Sequence, residues 1–137
     1  MRTMTKEEFM TNENWGPCDG STTRTRGNGD VKIRLVEGGY SKAGKRKSIS
    51  FRFYDGAEKK IGNSGYGNFR VFEKKVYFRE EQVGSGYKFC RYSGKGDSCE
   101  MKASIKDTNR WERFVGCYNL LYDRTLELYY IELDKKR

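Results

Sequence analysis

Lys45-Arg46-Lys47-Ser48-Ile49-Ser50-Phe51-Arg52-Phe53-Tyr54 begins as a knot of positive charge and continues as a strand. Ile49, Phe51 and Phe53 recur at period two and point to one side of a pleated backbone. Ser48, Ser50, Arg52 and Tyr54 point to the other. One face therefore suits a core, and the other offers a guanidinium and a phenol beside three cations. Residues 31–36 alternate in the same way, with Val31, Ile33 and Leu35 inward and Lys32 and Arg34 outward. Between the two runs, Gly38-Gly39 predicts a turn and residues 40–47 a basic connection, while Asp55-Gly56 ends the second run.

Working outward, Thr5-Lys6-Glu7-Glu8 has the form of a capping box, so a short helix is expected through Phe9 and Met10. Trp15-Gly16-Pro17 breaks it, and Phe9, Met10 and Trp15 are its anchors to a sheet. Residues 18–30 are small and polar apart from Arg24 and Arg26, which reads as a loop. Residues 57–61 fit either one helical turn or a returning strand, and 63–68 read as a Gly-rich loop centred on Tyr66. Residues 69–79 form the clearest hairpin, turning near Glu73-Lys74, with Phe69 and Val71 able to pair with Val76 and Phe78 on one face. Residues 87–92 and 99–105 are further strands around a turn at 93–98. Asp107 or Thr108 caps an expected helix ending at Gly116, in which Trp111, Phe114 and Val115 share a face. A last hairpin, 117–122 with 127–133, closes the chain around residues 123–125, before a charged tail at 134–137. The expected fold is α+β: a mostly antiparallel, strongly bent sheet or small barrel, with a short N-terminal helix and one helix near 107–116. No repeat or linker divides residues 1–137, so a single domain is expected.

Composition narrows the partners. The 137 residues carry a net charge of +9, which favours nucleic acid, an acidic protein or an anionic surface. No apolar run resembles a signal peptide or a membrane span, so a soluble cytoplasmic protein is expected. Cys18, Cys90, Cys99 and Cys117 contain no C-x-x-C pair, and the chain has no His. Free thiols are expected, with a Cys90–Cys99 disulfide or a four-thiolate metal site as the alternatives.

Catalysis has few candidates. Without His there is no ordinary triad, a reactive Cys would need Lys or a carboxylate as its base, and no cofactor or metal is expected. Asp55 with Glu73-Lys74-Lys75 resembles the acidic residue plus E-x-K signature of restriction-type nucleases, where two carboxylates hold Mg²⁺. The hairpin turn accounts for Glu73 and Lys74 equally well, so a metal-dependent nuclease is a minor alternative. Gly27-Asn28-Gly29 and the Gly-rich residues 62–67 lack the Lys-Ser/Thr ending of a phosphate loop.

Charge is the stronger signal. Between residues 21 and 60, eleven cations face four carboxylates. The expected partner-binding or nucleic-acid-binding residues are Arg24, Arg26, Lys32, Arg34, Lys42, Lys45, Arg46, Lys47, Arg52, Tyr54 and Tyr66. Phosphates reward such density through counterion release, and tyrosines stack on unpaired bases. The bland alternative is a solvated surface.

Asn68-Phe69-Arg70-Val71-Phe72-Glu73-Lys74-Lys75-Val76-Tyr77-Phe78-Arg79-Glu80 resembles small orphan proteins of bacteriophages and mobile elements of Gram-positive bacteria. So does Arg113-Phe114-Val115-Gly116, followed by Leu121-Tyr122-Asp123 and Tyr129-Tyr130-Ile131. That group includes anti-CRISPR proteins, which bind a nuclease–guide complex and block it without chemistry. The resemblance implies a non-enzymatic inhibitor of a host nucleic-acid-guided nuclease, contacting the guide RNA complex through a basic, Tyr-bearing surface. A small single-stranded DNA- or RNA-binding β module is the alternative.

Overall fold

Strand alternation builds most of this protein. The computed structural model describes residues 5–11, 30–41, 44–92, 98–106 and 110–136, with the side chains of 37–41, 44–46 and 92 outside that description. Helix α1 (Lys6–Met10) precedes β1 (Val31–Ser41) and β2 (Gly44–Tyr54). A single turn, α2 (Glu58–Ile61), leads to β3 (Tyr66–Phe72) and β4 (Lys75–Glu80). Then follow β5 (Tyr87–Lys88), β6 (Cys90–Tyr92), β7 (Ser98–Ser104), β8 (Gly116–Tyr118), β9 (Leu121–Asp123) and β10 (Leu128–Glu132).

The strands form two five-stranded sheets, β6-β7-β2-β1-β8 and β5-β3-β4-β10-β9, in which every pairing is antiparallel. The period-two apolar residues of both sheets meet in one core. Val31, Ile33, Ile49, Phe51, Phe53 and Met101 come from the first sheet, and Phe69, Val76, Phe78 and Ile131 from the second. The Phe51 ring lies 4.7 Å from Phe69 and 5.3 Å from Phe78, so the sheets touch through aromatic rings. The α+β, mostly antiparallel class is as expected. The sheets do not close into a barrel; they stack as two layers.

Among the described residues the chain crosses between layers at β2–β3, β5–β6 and β8–β9, and the last two crossings correct the strand assignments. The 87–92 stretch is two strands in different sheets, with buried Phe89 between them. The 117–122 stretch is divided likewise: β8 pairs with β1, and only β9 joins β10 in the closing hairpin. Gly38-Gly39 is not a turn. It lies within β1, where the register against β2 shifts between Gly38 and Tyr40. Residues 40–41 and 44–47 are therefore strand, while Lys42 lies outside the described residues.

The helix expected near 107–116 is absent among the described residues. Residues 110–114 make turns, with Phe114 N–H donating to the Trp111 carbonyl at 2.9 Å. The i, i+3, i+4 spacing is thus served by turns that bury Trp111 and Val115. The proposed caps Asp107 and Thr108 lie outside the described residues. Residues 57–61 take the helical alternative, and Tyr66 opens β3 rather than centring a loop.

Helix α1 forms as its capping signal predicts, with Thr5 Oγ1 accepting from Glu8 N–H at 3.2 Å. It covers the outer face of the second sheet. Phe9 packs edge-on against Tyr77 and Phe72, joined by Leu126 and Leu128. Arg70 donates to the Phe9 carbonyl at 2.5 Å and Arg79 to the Met10 carbonyl at 2.7 Å. Two arginines thereby satisfy carbonyls that a helix end leaves without intrahelical partners. The Arg70 guanidinium also lies 4.6 Å from the centre of the Phe9 ring.

The 69–79 hairpin forms with its turn where expected, and its register sets Phe69 opposite Phe78 and Val71 opposite Val76. Glu73 and Lys74 form its two-residue turn with φ of 49° and 61°, the twist that suits a tight hairpin. Of the E-x-K resemblance, Glu73 and Lys74 are thus turn residues, while Lys75 opens β4. Cys99 and Cys117 are buried and Cys90 is exposed, and no disulfide joins the three. A Cys90–Cys99 bridge is contradicted: Cys99 sits opposite Arg91, one pleat out of step with Cys90, so the two thiols point to opposite faces. Cys18 lies outside the described residues.

Candidate functional site

The outer face of the first sheet collects the polar half of each alternating strand. Its β1 residues are Lys32 and Arg34, its β2 residues Ser48, Ser50, Arg52 and Tyr54, and its β7 residues Ser98, Glu100, Lys102 and Ser104. Register turns these into rows across the sheet. Lys32 is opposite Arg52, which is opposite Glu100; Arg34 is opposite Ser50, which is opposite Lys102. With strands about 4.8 Å apart, four cations occupy neighbouring positions on three strands.

One carboxylate sits among them. Glu100 is buried, accepts a hydrogen bond from the Ser50 hydroxyl and lies 3.9 Å from the Arg34 guanidinium. Ser50 is also fully buried, so this face is not the open solvated surface that alternation alone suggests. Lys32, Arg34 and Arg52 are half-buried and Lys102 is exposed. Among the described residues this face carries four cations and one carboxylate, and Glu100 pairs with Arg34. Such a surface can bind phosphates.

The structure gathers only part of the expected set. Lys32, Arg34, Arg52 and Tyr54 share this face, with Tyr54 opposite Ser98. Lys47 is exposed but shares the pleat direction of Ile49, so it belongs to the other face. Tyr66 lies in the second sheet and is separate from the group. Arg24, Arg26 and Lys42 lie outside the described residues, as do the side chains of Lys45 and Arg46. Glu100 and Lys102 were not among the sequence candidates. Their signal was the alternation of residues 99–105, which places them outward between buried Cys99, Met101 and Ala103.

Comparison with protein-family models, curated proteins and solved structures finds no match to this chain.

Proposed function

We propose that the protein acts by binding, without catalysis, as an inhibitor that docks on a nucleic-acid-guided nuclease in the cytoplasm of a bacterial host. The observation that carries this reading is the convergence of Lys32, Arg34, Arg52 and Lys102 on register-neighbouring positions of one sheet face. Each phosphate neutralised there releases condensed counterions, which favours nucleic acid over an isolated carboxylate. The resemblance of residues 68–80 and 113–131 to phage-type proteins supplies the target class. A second reading, a module that binds single-stranded nucleic acid by itself, is favoured by Tyr54. Its ring stands on the same face, where an unpaired base can stack.

Binding of the purified protein to a guide RNA, to the nuclease and to their complex, across a salt series, tests both readings. An inhibitor binds the ribonucleoprotein more tightly than either part and blocks cleavage; a module binds bare RNA equally well. Reversal of Lys32 and Lys102 to Glu weakens binding and flattens the salt slope by roughly 0.7–0.9 for each phosphate that is no longer neutralised. A double reversal that binds and inhibits like the parent refutes the role of this face.

A further inference from the structure

A cleft opens on the other side of the molecule, where two strands part. β10 pairs with β4 only from Tyr129 opposite Phe78 to Glu132 opposite Lys75, while β4 runs on to Glu80. The turn before β10, with Glu127 at φ 57°, carries the chain away. The gap is lined by Met10 at the end of α1 and by Lys60 and Ile61 of α2, and forms an open cleft of about 450 Å³. That volume suits a small organic ligand.

Its walls divide by chemistry. Ile61, Phe78 and Leu128 are apolar, and the Tyr122 and Tyr129 rings stand 4.8 Å apart at 54° to each other. Tyr122 is 49% exposed, an aromatic surface that folding leaves uncovered. Two of the four charged residues are already ion-paired. Arg79 bonds Glu81 and the Met10 carbonyl, and Glu127 is paired with Lys6. Lys60 and Glu80 remain, and neither has an ion-pair partner among the described residues.

Glu80 is held in place. Its Oε2 accepts from Ser64 N–H at 2.8 Å, and its carboxyl packs so closely on Gly62 that a Cβ there would collide with it. Lys60 and Glu80 both line the cleft, and Gly62, against which the Glu80 carboxyl packs, follows Lys60 by two residues. An anion alone would suit Lys60 but be repelled by Glu80; a cation alone would meet the reverse. A compact head bearing both charges satisfies both, with its body against the tyrosines.

We propose that this cleft binds an aromatic zwitterion of the α-amino acid class, with its carboxylate on Lys60, its ammonium on Glu80 and its ring against Tyr122. The site is independent of the cationic face of the first sheet. NMR titration of the isotope-labelled protein with L-phenylalanine tests it, with 3-phenylpropionate, phenethylamine and adenosine monophosphate as comparison probes. L-Phenylalanine is expected to shift the amides of residues 60, 80 and 122 saturably. Each analogue lacking one charge should bind at least fivefold more weakly, and the nucleotide more weakly still. Lys60→Gln and Glu80→Gln should each weaken binding by fivefold or more, and Tyr122→Ala by about tenfold. Spectra of the variants must otherwise overlay the parent, which separates loss of the site from loss of the fold. No saturable shift at 10 mM L-phenylalanine overturns the proposal. So does equal binding of phenylpropionate, tighter binding of the nucleotide, or indifference to Lys60→Gln and Glu80→Gln.

Discussion

Phe51→Ala is the substitution that best tests whether the two sheets meet as described. Phe51 is fully buried in the central strand of the first sheet, and its ring touches Phe69 and Phe78 of the second sheet and Trp111. Truncation forfeits about 2–3 kcal/mol of transfer free energy for the phenyl ring. A residual cavity of roughly 80 Å³ adds about 2 kcal/mol. Lined by Phe69 and Phe78 of the second sheet and by Trp111, the cavity cannot collapse without moving one layer against the other. The expected cost is therefore about 4 kcal/mol, inside the usual range of about 3–5 kcal/mol for such changes. Against a typical total of about 5–15 kcal/mol, this is a large fraction. Urea unfolding should show a midpoint lowered by about 2 M with an unchanged slope. Val83→Ala, at a position 75% exposed, is the control and should stay within about 0.5 kcal/mol of the parent. A loss below about 1 kcal/mol for Phe51→Ala would refute the face-to-face arrangement.

Arg70→Ala removes both the bond to the Phe9 carbonyl and the cation–π contact, at an expected cost of about 2–4 kcal/mol. Hydrogen exchange at residues 6–10 should accelerate, and unchanged protection would show that α1 is held by other means. The Tyr77 phenol is pushed up to about 12, chiefly by burial. Because the neutral form is favoured in the fold, its contribution is complete below pH 10 and is lost as pH rises from about 10 to 12. Stability should fall across that window, and Tyr77→Phe should reduce the slope; an identical profile for the variant would contradict the assignment. Gly86 has φ +69°, and a Cβ there would lie 2.6 Å from the Gly67 carbonyl oxygen. Gly84, at φ +89°, has open space around it. Gly86→Ala should therefore cost more than the ~1 kcal/mol expected of Gly84→Ala, and equal melting shifts would count against the turn geometry.

Most strands were legible because period two is written directly into residues 31–36, 48–54, 69–79 and 99–105. Alternation says which residues share a face, but it is silent on which sheet a strand joins. That is why 87–92 read as one strand: the pleat is continuous in sequence, whereas Phe89 marks the step from one layer to the other. The 107–116 helix failed for a different reason. Trp111, Phe114 and Val115 have helical spacing, but a turn with an i to i+3 hydrogen bond brings Trp111 into the same core. At the candidate site, outward direction was readable for Lys32, Arg34 and Arg52. Neighbourhood was not, because Glu100 and Lys102 are distant in sequence from all three and reach the same face only through the β2–β7 register.

That register also shows why the cationic face is unlike an ordinary solvated one. Lys32 and Arg52 stand directly opposite each other, and like charges so placed weaken a sheet by a few tenths to about 1 kcal/mol. Folding alone would favour a neutral residue at one of the two positions. Glu100 offsets part of the repulsion from the neighbouring strand, but its bond to the buried Ser50 hydroxyl and its approach to Arg34 bind it to the other row. Three further cations still share the face with Arg34, two of them half-buried, where water screens them less than at an open surface. A polyanion laid across the rows would offset the repulsion between cations on opposite strands. The unfavourable pairing and the proposed binding role thus have the same origin in the outward residues of β1, β2 and β7.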